Sequence, residues 1–202
     1  MPVIKNITKL KNKNNYQVEI DDKLYTFDED TILEYRFYKD KEIDDDTLNK
    51  AIASFDISSF YNKALSYSYK YGKNSNEVYN YLIEKGLDEN NTLLIVEKLK
   101  KNKIIDDNKL AEIFVYTQIK NHYGKKMIKE KLKMKKYDDL VITESINNID
   151  YDLYIESLNE LFNKIKNKYD KYDAYVKKMK LKQYLYQRGY DKEDIDLIVV
   201  NL

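Results

Sequence analysis

Seven lysines lie between Gly124 and Lys136, opposed only by Glu130. At about 100° per residue, Lys125, Lys136, Lys129, Lys133 and Lys126 fall along one continuous helical face, beside the apolar line of Ile128 and Leu132. Ammonium groups crowded onto one face repel each other unless an anion relieves them. The chemistry on offer is therefore recognition of a phosphate backbone or of an acidic protein surface. A second basic cluster, Lys177, Lys178, Lys180 and Lys182 with Arg188, follows further along the chain.

Other chemistries lack their residues. There is no cysteine, and the single histidine, His122, has no neighbours at metal-ligand spacing, so thiolate nucleophiles, disulfide frameworks and structural zinc drop out together. Asp106-Asp107 directly precedes the apolar positions around Leu110, where an aspartate initiates a helix by accepting from free backbone amides. His122, beside Tyr123-Gly124, reads as a surface turn residue. With no glycine-rich phosphate loop, nucleophile elbow or ligand cluster, the expectation is a non-enzyme without cofactor or metal. No apolar run approaches the ~18 residues of a membrane span, and Met1 to Leu10 carries no cleavable leader pattern, so a soluble cytoplasmic protein is expected.

Only Arg36 and Arg188 among the 36 basic residues are arginine, and Lys, Asn, Ile and Tyr abound, the pattern left by AT-rich codons. That discounts aromatic richness as a sign of nucleic-acid stacking. Tyr67, Tyr69, Tyr71, Tyr79 and Tyr81 are accordingly assigned to core and interface packing.

The elements that must hold the lysines follow from charge and apolar spacing. Net charge is +1, yet residues 1–56 carry 13 acidic and 9 basic side chains, an acidic head on a basic body. In the head, Tyr16, Val18 and Ile20 alternate with Gln17 and Glu19 before the turn-forming Asp21-Asp22 and then Leu24, Tyr25 and Phe27, which predicts a hairpin. Ile4, Ile7 and Leu10 begin a third strand; Ile32, Leu33 and Phe37 mark a short helix, and Asp46 caps another carrying Leu48, Ile52 and Phe55.

From Ser58 onward the spacing is helical and repeats. Val78, Leu82, Lys85, Gly86 and Leu87 superpose on Ile128, Leu132, Lys135, Lys136 and Tyr137, and these on Leu181, Leu185, Arg188, Gly189 and Tyr190; Asp88, Asp138 and Asp191 follow in turn. A helix precedes each stretch, marked by Ala64 and Leu65, by Ala111, Phe114 and Val115, and by Tyr154, Leu158 and Leu161. A third follows each, marked by Leu94, Ile95 and Leu99, by Val141, Ile142 and Ile146, and by Ile195, Ile198 and Val199. The expected fold is mainly α: three tandem three-helix repeats at 58–105, 106–150 and 151–202 forming an elongated curved body, after a small α+β unit at 1–57. Stacking of repeats should supply part of each core, and Lys136, where the other repeats have glycine, should carry a left-handed turn at a cost of roughly 1 kcal/mol.

Asn74, Glu77, Val78, Leu82 and Lys85-Gly86 in the first repeat, then Asp106-Asp107, Leu110-Ala111, Phe114-Val115, Tyr123-Gly124, Ile128 and Leu132 in the second, resemble the RecX family of bacterial modulators of the RecA recombinase. Tyr116 and Gln118 stand where that family usually has arginines, and Asn74 where it has serine. Asn74 with Glu77 still makes a capping-box pair. The resemblance implies a tandem three-helix-repeat fold and a monomer lying along the RecA filament on single-stranded DNA, restraining recombination and the SOS response. The contact residues expected from the charge pattern are Lys125, Lys126, Lys129, Lys133 and Lys136, with Lys177, Lys178 and Arg188. The residues alone also fit a nucleic-acid-binding module acting without RecA, or a helical adaptor for another acidic protein.

Overall fold

The computed structural model describes residues 1–10 and 15–200. Three strands, β1 (Ile4–Lys9), β2 (Asn15–Ile20) and β3 (Lys23–Asp28), form an antiparallel sheet in the order β1-β2-β3. The β2–β3 hairpin turns at Asp21-Asp22, where Asp21 takes φ 50°, a left-handed conformation that aspartate tolerates. Ile4, Val18, Ile20 and Phe27 face a small core completed by Phe37, Ile43, Leu48 and Ala51.

Helix α1 (Glu29–Glu34) is capped by Asp28 and stops at Tyr35, so Phe37 lies beyond it rather than on it; Arg36, at φ 51°, turns the chain back toward the sheet. Helix α2 (Asp45–Tyr71) departs further from expectation. Its cap is Asp44, which accepts from the Thr47 amide at 2.7 Å, rather than Asp46, and it runs unbroken for 27 residues across positions 57 and 58. The short helix of the head and the first helix of the body are thus one rod, with Leu48 and Ala51 in the head core and Ala64 in the first repeat.

The body continues with α3 (Ser75–Glu84), α4 (Glu89–Lys101), α5 (Asp107–Lys120), α6 (Lys125–Met134), α7 (Asp139–Asn147), α8 (Tyr151–Ile165), α9 (Ala174–Gln187) and α10 (Lys192–Val199). The aligned pairs Val78/Leu82, Ile128/Leu132 and Leu181/Leu185 are buried on the middle helices α3, α6 and α9. The three residues that end those helices all turn left-handed: Gly86 at φ 91°, Lys136 at 59° and Gly189 at 90°. Asp88 and Asp138 cap α4 and α7 with their side chains, whereas Asp191 makes no such bond to α10.

The cores are not evenly shared. Ala111, Ile128, Leu132 and Ile142 of the second repeat pack in one cluster with Tyr154, Leu158, Leu181 and Tyr190 of the third, while Val78, Leu82, Ile95 and Leu99 form a separate cluster in the first. Burial by stacking therefore operates between the second and third units and hardly between the first and second.

Candidate functional site

Helix α6, which bears most of the lysines, is held at both ends by neighbouring repeats. Its cap residue is Gly124, which has no side chain to satisfy the first amides. The end of α9 supplies the acceptors instead: the Gly124 amide donates to the Arg188 carbonyl at 2.9 Å, and the Lys126 amide to the Gly189 carbonyl at 3.1 Å. A Cβ on Gly124 would lie 2.2 Å from the Gly189 carbonyl, so glycine is required by contact. At its other end, the Lys135 carbonyl accepts from Asn74 Nδ2 at 3.1 Å and Lys135 Nζ lies 3.4 Å from Glu77. Asn74 and Glu77 form the expected capping box of α3. The middle helices thus follow one another head to tail, the start of α3 against the end of α6 and the start of α6 against the end of α9.

This framework divides the lysines differently from the helical wheel. Lys125 Nζ sits 4.9 Å from the Tyr154 ring and 5.5 Å from that of Tyr151, a cation over aromatic faces. Lys126 is paired with Asp191 at 2.9 Å, which raises its pKa through that hydrogen bond and explains why Asp191 does not cap α10. Lys133 is exposed with Glu130 at 3.4 Å, and Lys129 is exposed with no ion pair or ring contact. Lys136 is exposed but lies past the helix end in its left-handed turn, so it does not extend the α6 face. The five-lysine face resolves into two internally occupied cations at the helix start and three projecting ones toward and beyond its end.

Lys131, which the wheel had left out, stands 3.4 Å from the Tyr123 ring centroid and donates to Gln118 Oε1 at 2.8 Å. Gln118 suits that place because an arginine there would face the Lys131 ammonium. Arg188 reaches the same Tyr123 ring at 4.8 Å. It belongs to the α6–α9 junction rather than with Lys177 and Lys178 on the first turns of α9. Lys177 is paired with Asp170 at 2.6 Å, Lys182 with Asp196, and Lys180 lies 4.8 Å over Tyr172; Lys178 is half-buried without an ion pair. The second cluster is thus largely neutralised within its own repeat.

Asp106 caps α5 through the Lys109 amide at 3.0 Å, as its position predicts, but Asp107 reaches across to α3, accepting from the Ser75 amide at 2.9 Å and the Ser75 hydroxyl at 2.5 Å. Adjacent aspartates thus start two different helices. His122 lies in the turn as expected but is half-buried, its side chain 14% exposed and its φ 58°. Nε2 lies 2.8 Å from the Lys164 ammonium, which can only donate, so the ring is neutral with its proton on Nδ1, 3.0 Å from Ser157 Oγ. Ser157 in turn donates to the Ile119 carbonyl. Burial, then the Lys164 charge, hold the imidazole below its ordinary pKa. The positive φ of a lone histidine before Tyr-Gly leaves no mark in a single sequence.

Of the tyrosines, Tyr67 and Tyr81 stack on each other at 4.2 Å and Tyr79 bonds Glu89, as packing predicts, while Tyr69 is 70% exposed. The side chain of Tyr71 lies outside the described residues. Burial raises the Tyr190 phenol to about 12. Among the described residues no group of three or more His, Cys, Asp or Glu could hold a metal ion, and no helix is long and apolar enough to cross a membrane.

Tandem three-helix units coupled through their middle helices define a helical-repeat protein. Residues 152–199 match the family model described as RecX, third three-helix domain. The regulatory protein RecX of Geobacillus sp. (strain WCH70) is 26% identical over 208 residues, spanning all of this chain and 77% of that protein. That of Oceanobacillus iheyensis is 28% identical over 200 residues, 95% of this chain and 73% of its own length. The crystal structure of RecX from Lactobacillus salivarius superposes with a TM-score of 0.69 at 30% identity, covering 73% of this chain and 96% of that one. A crystal structure of another regulatory protein RecX shares the fold across 98% of both chains, with a TM-score of 0.86 at 21% identity. The chain belongs to the RecX family.

Proposed function

We propose that this chain is a RecX-type regulator that binds the RecA filament on single-stranded DNA and restrains its recombinase, ATP-hydrolysing and SOS co-protease activities. The name of the relatives, regulatory protein RecX, supports the regulatory role. The observation that carries the contact is the fixing of α6 at both ends, which presents Lys129 and Lys133 with only Glu130 against them, Lys136 projecting from the turn just beyond. In this reading the protein works as a cytoplasmic monomer, without a cofactor and without turnover of its own. Lys125 and Lys126 contribute field rather than direct contact, since rings and Asp191 already occupy them. Lys177, Lys178 and Arg188 form a secondary surface.

RecA ATP hydrolysis on single-stranded DNA, measured with and without the purified chain, tests the reading. Inhibition that weakens with salt is expected, because exposed charges are screened. Replacing Lys129, Lys133 and Lys136 by glutamate spares Ile128 and Leu132 and should reduce inhibition sharply with the helix intact. A folded triple variant as inhibitory as the parent makes these lysines a solvated face. No effect of the parent on RecA, with tight binding to naked DNA, favours a RecA-independent nucleic-acid module instead.

A further inference from the structure

A groove of about 670 Å³ runs between α9 and α10, its Tyr186 end next to α6, where Lys126 Nζ lies 5.1 Å from the Tyr186 ring. Its α9 wall is the stripe Tyr175, Met179, Gln183 and Tyr186, and its α10 wall includes Ile195. These α9 positions recur at helical spacing and share one face. Tyr175 is 74% exposed, Met179 53% and Tyr186 58%, three large side chains in a row left largely open to solvent, with only Lys126 of α6 reaching over Tyr186. The aligned positions of the second repeat are His122, Lys126 and Lys133, so the apolar stripe is peculiar to the third.

The rim is basic. Lys180, Lys182 and Lys192 border the groove against one carboxylate, Asp196, which is bonded to Lys182. The Lys182 bond holds the Asp196 carboxyl below its ordinary pKa, so it stays ionised and spent on that lysine. Lys180, which leans over the Tyr172 ring, and exposed Lys192 have no carboxylate partner and flank the apolar floor. A phosphate backbone would make little use of Met179 and Val176, and a purely acidic chain would leave them in water. An apolar floor under lysines matches a segment bearing apolar residues on one side and carboxylates on the other.

We propose that the α9–α10 groove is a docking site for an acidic amphipathic peptide segment of a partner protein, the apolar side chains entering over Tyr175, Met179 and Tyr186 and the carboxylates meeting Lys180 and Lys192. At 1.5 Å per residue the stripe from Tyr175 to Tyr186 is about 16 Å long, the reach of two to three turns of a bound helix. The groove lining includes none of Lys129, Lys133 and Lys136, although Lys126 lies over the Tyr186 ring at one end, and its test involves no RecA.

The probe is a labelled synthetic peptide of about sixteen residues with glutamates on one helical face and leucine and phenylalanine on the other, titrated with the full chain by fluorescence anisotropy. Saturable binding, with a Kd of about 10–100 µM, is expected. Y175S/M179D should weaken it about tenfold or more. K180E/K192E should weaken it to a similar extent and restore binding to a peptide in which lysine replaces glutamate. All four residues are at the surface or half-exposed, and circular dichroism with thermal melting verifies that the variants fold. The proposal is overturned by absence of binding up to about millimolar peptide, by equal binding of polyglutamate, or by folded variants that bind like the parent. It is equally overturned if oligothymidylate or phosphatidylglycerol vesicles bind more tightly with dependence on the same four residues.

Discussion

The two junctions between repeats do the same task with opposite chemistry. Where α3 meets the second repeat, the contact is made by side chains: Asn74 Nδ2 on the Lys135 carbonyl and Glu77 on the Lys135 ammonium at the end of α6, and Asp107 of α5 on Ser75. Where α6 meets α9, it is made by backbone on backbone, with Gly124 and Gly189 pressed together and an apolar core continuous beneath them. In the aligned repeats Gly124 takes the place of Asn74, and Gly189 that of Lys136. A polar junction between separate cores tolerates adjustment; a close-packed one over a shared core does not. The difference teaches that sequence-similar repeats need not be energetically equivalent neighbours.

The largest effect is expected at the glycine junction. Gly124→Ala places a Cβ 2.2 Å from the Gly189 backbone, and Gly189→Ala places one 2.4 Å from the Met127 nitrogen at a φ of 90°. Either should cost more than about 3 kcal/mol in chemical denaturation. A variant that melts within a degree or two of the parent would break the comparison at its root.

At the polar junction the matching change is milder. Asn74→Ala removes the α3 cap and the bond to Lys135, and should cost about 1–2 kcal/mol by the same measurement. A loss as large as that at Gly124 would mean the two junctions are alike after all.

Lys136→Gly sharpens the comparison from the other side, with the sign reversed. It relieves a left-handed lysine at φ 59° in an exposed turn, and should stabilise by up to about 1 kcal/mol. A neutral or destabilising result would show that Lys136 makes contacts that offset its backbone strain.

The smallest effect is a pH dependence confined to the second junction. His122 is held neutral in the fold, whereas in the unfolded chain it takes up a proton near pH 6.5. Its contribution is therefore complete above that value and is lost as pH falls through it toward the depressed folded pKa. The unfolding midpoint should decline from about pH 7 downward, before the carboxylates titrate. H122N, which tolerates the left-handed turn and still donates toward Ser157, should flatten that decline. An unchanged slope in H122N would assign it to other groups.

Much of this architecture is legible in one sequence, because the repeat signal consists of local terms. Val78/Leu82 and its two counterparts declare buried helix faces, Asp88 and Asp138 declare starts, and Gly86 and Gly189 declare stops. Where several residues compete for one role, local terms fail. Asp44, Asp45 and Asp46 are equivalent as caps on paper, and only the Thr47 contact selects Asp44, setting free a helix of 27 residues. The lysine face failed for another reason: wheel geometry locates charges on one helix but says nothing of Asp191, Tyr151 and Tyr154 arriving from the next repeat. His122 was missed likewise, since Ser157 and Lys164 are distant in sequence.

The borrowed cap of α6 also bears on the order in which the molecule can assemble. Helix α3 makes its capping box from its own Asn74 and Glu77, so that part of its start can form as soon as the first repeat is available, with Asp107 and Lys135 completing the junction later. Helix α6 has no such provision; the Gly124 and Lys126 amides find their acceptors only once the Arg188-Gly189 turn has formed. During synthesis, then, the second repeat must wait with an open helix start until more than sixty residues beyond Gly124 have emerged. The surface that carries the free lysines matures last, and only in a chain whose third repeat is sound.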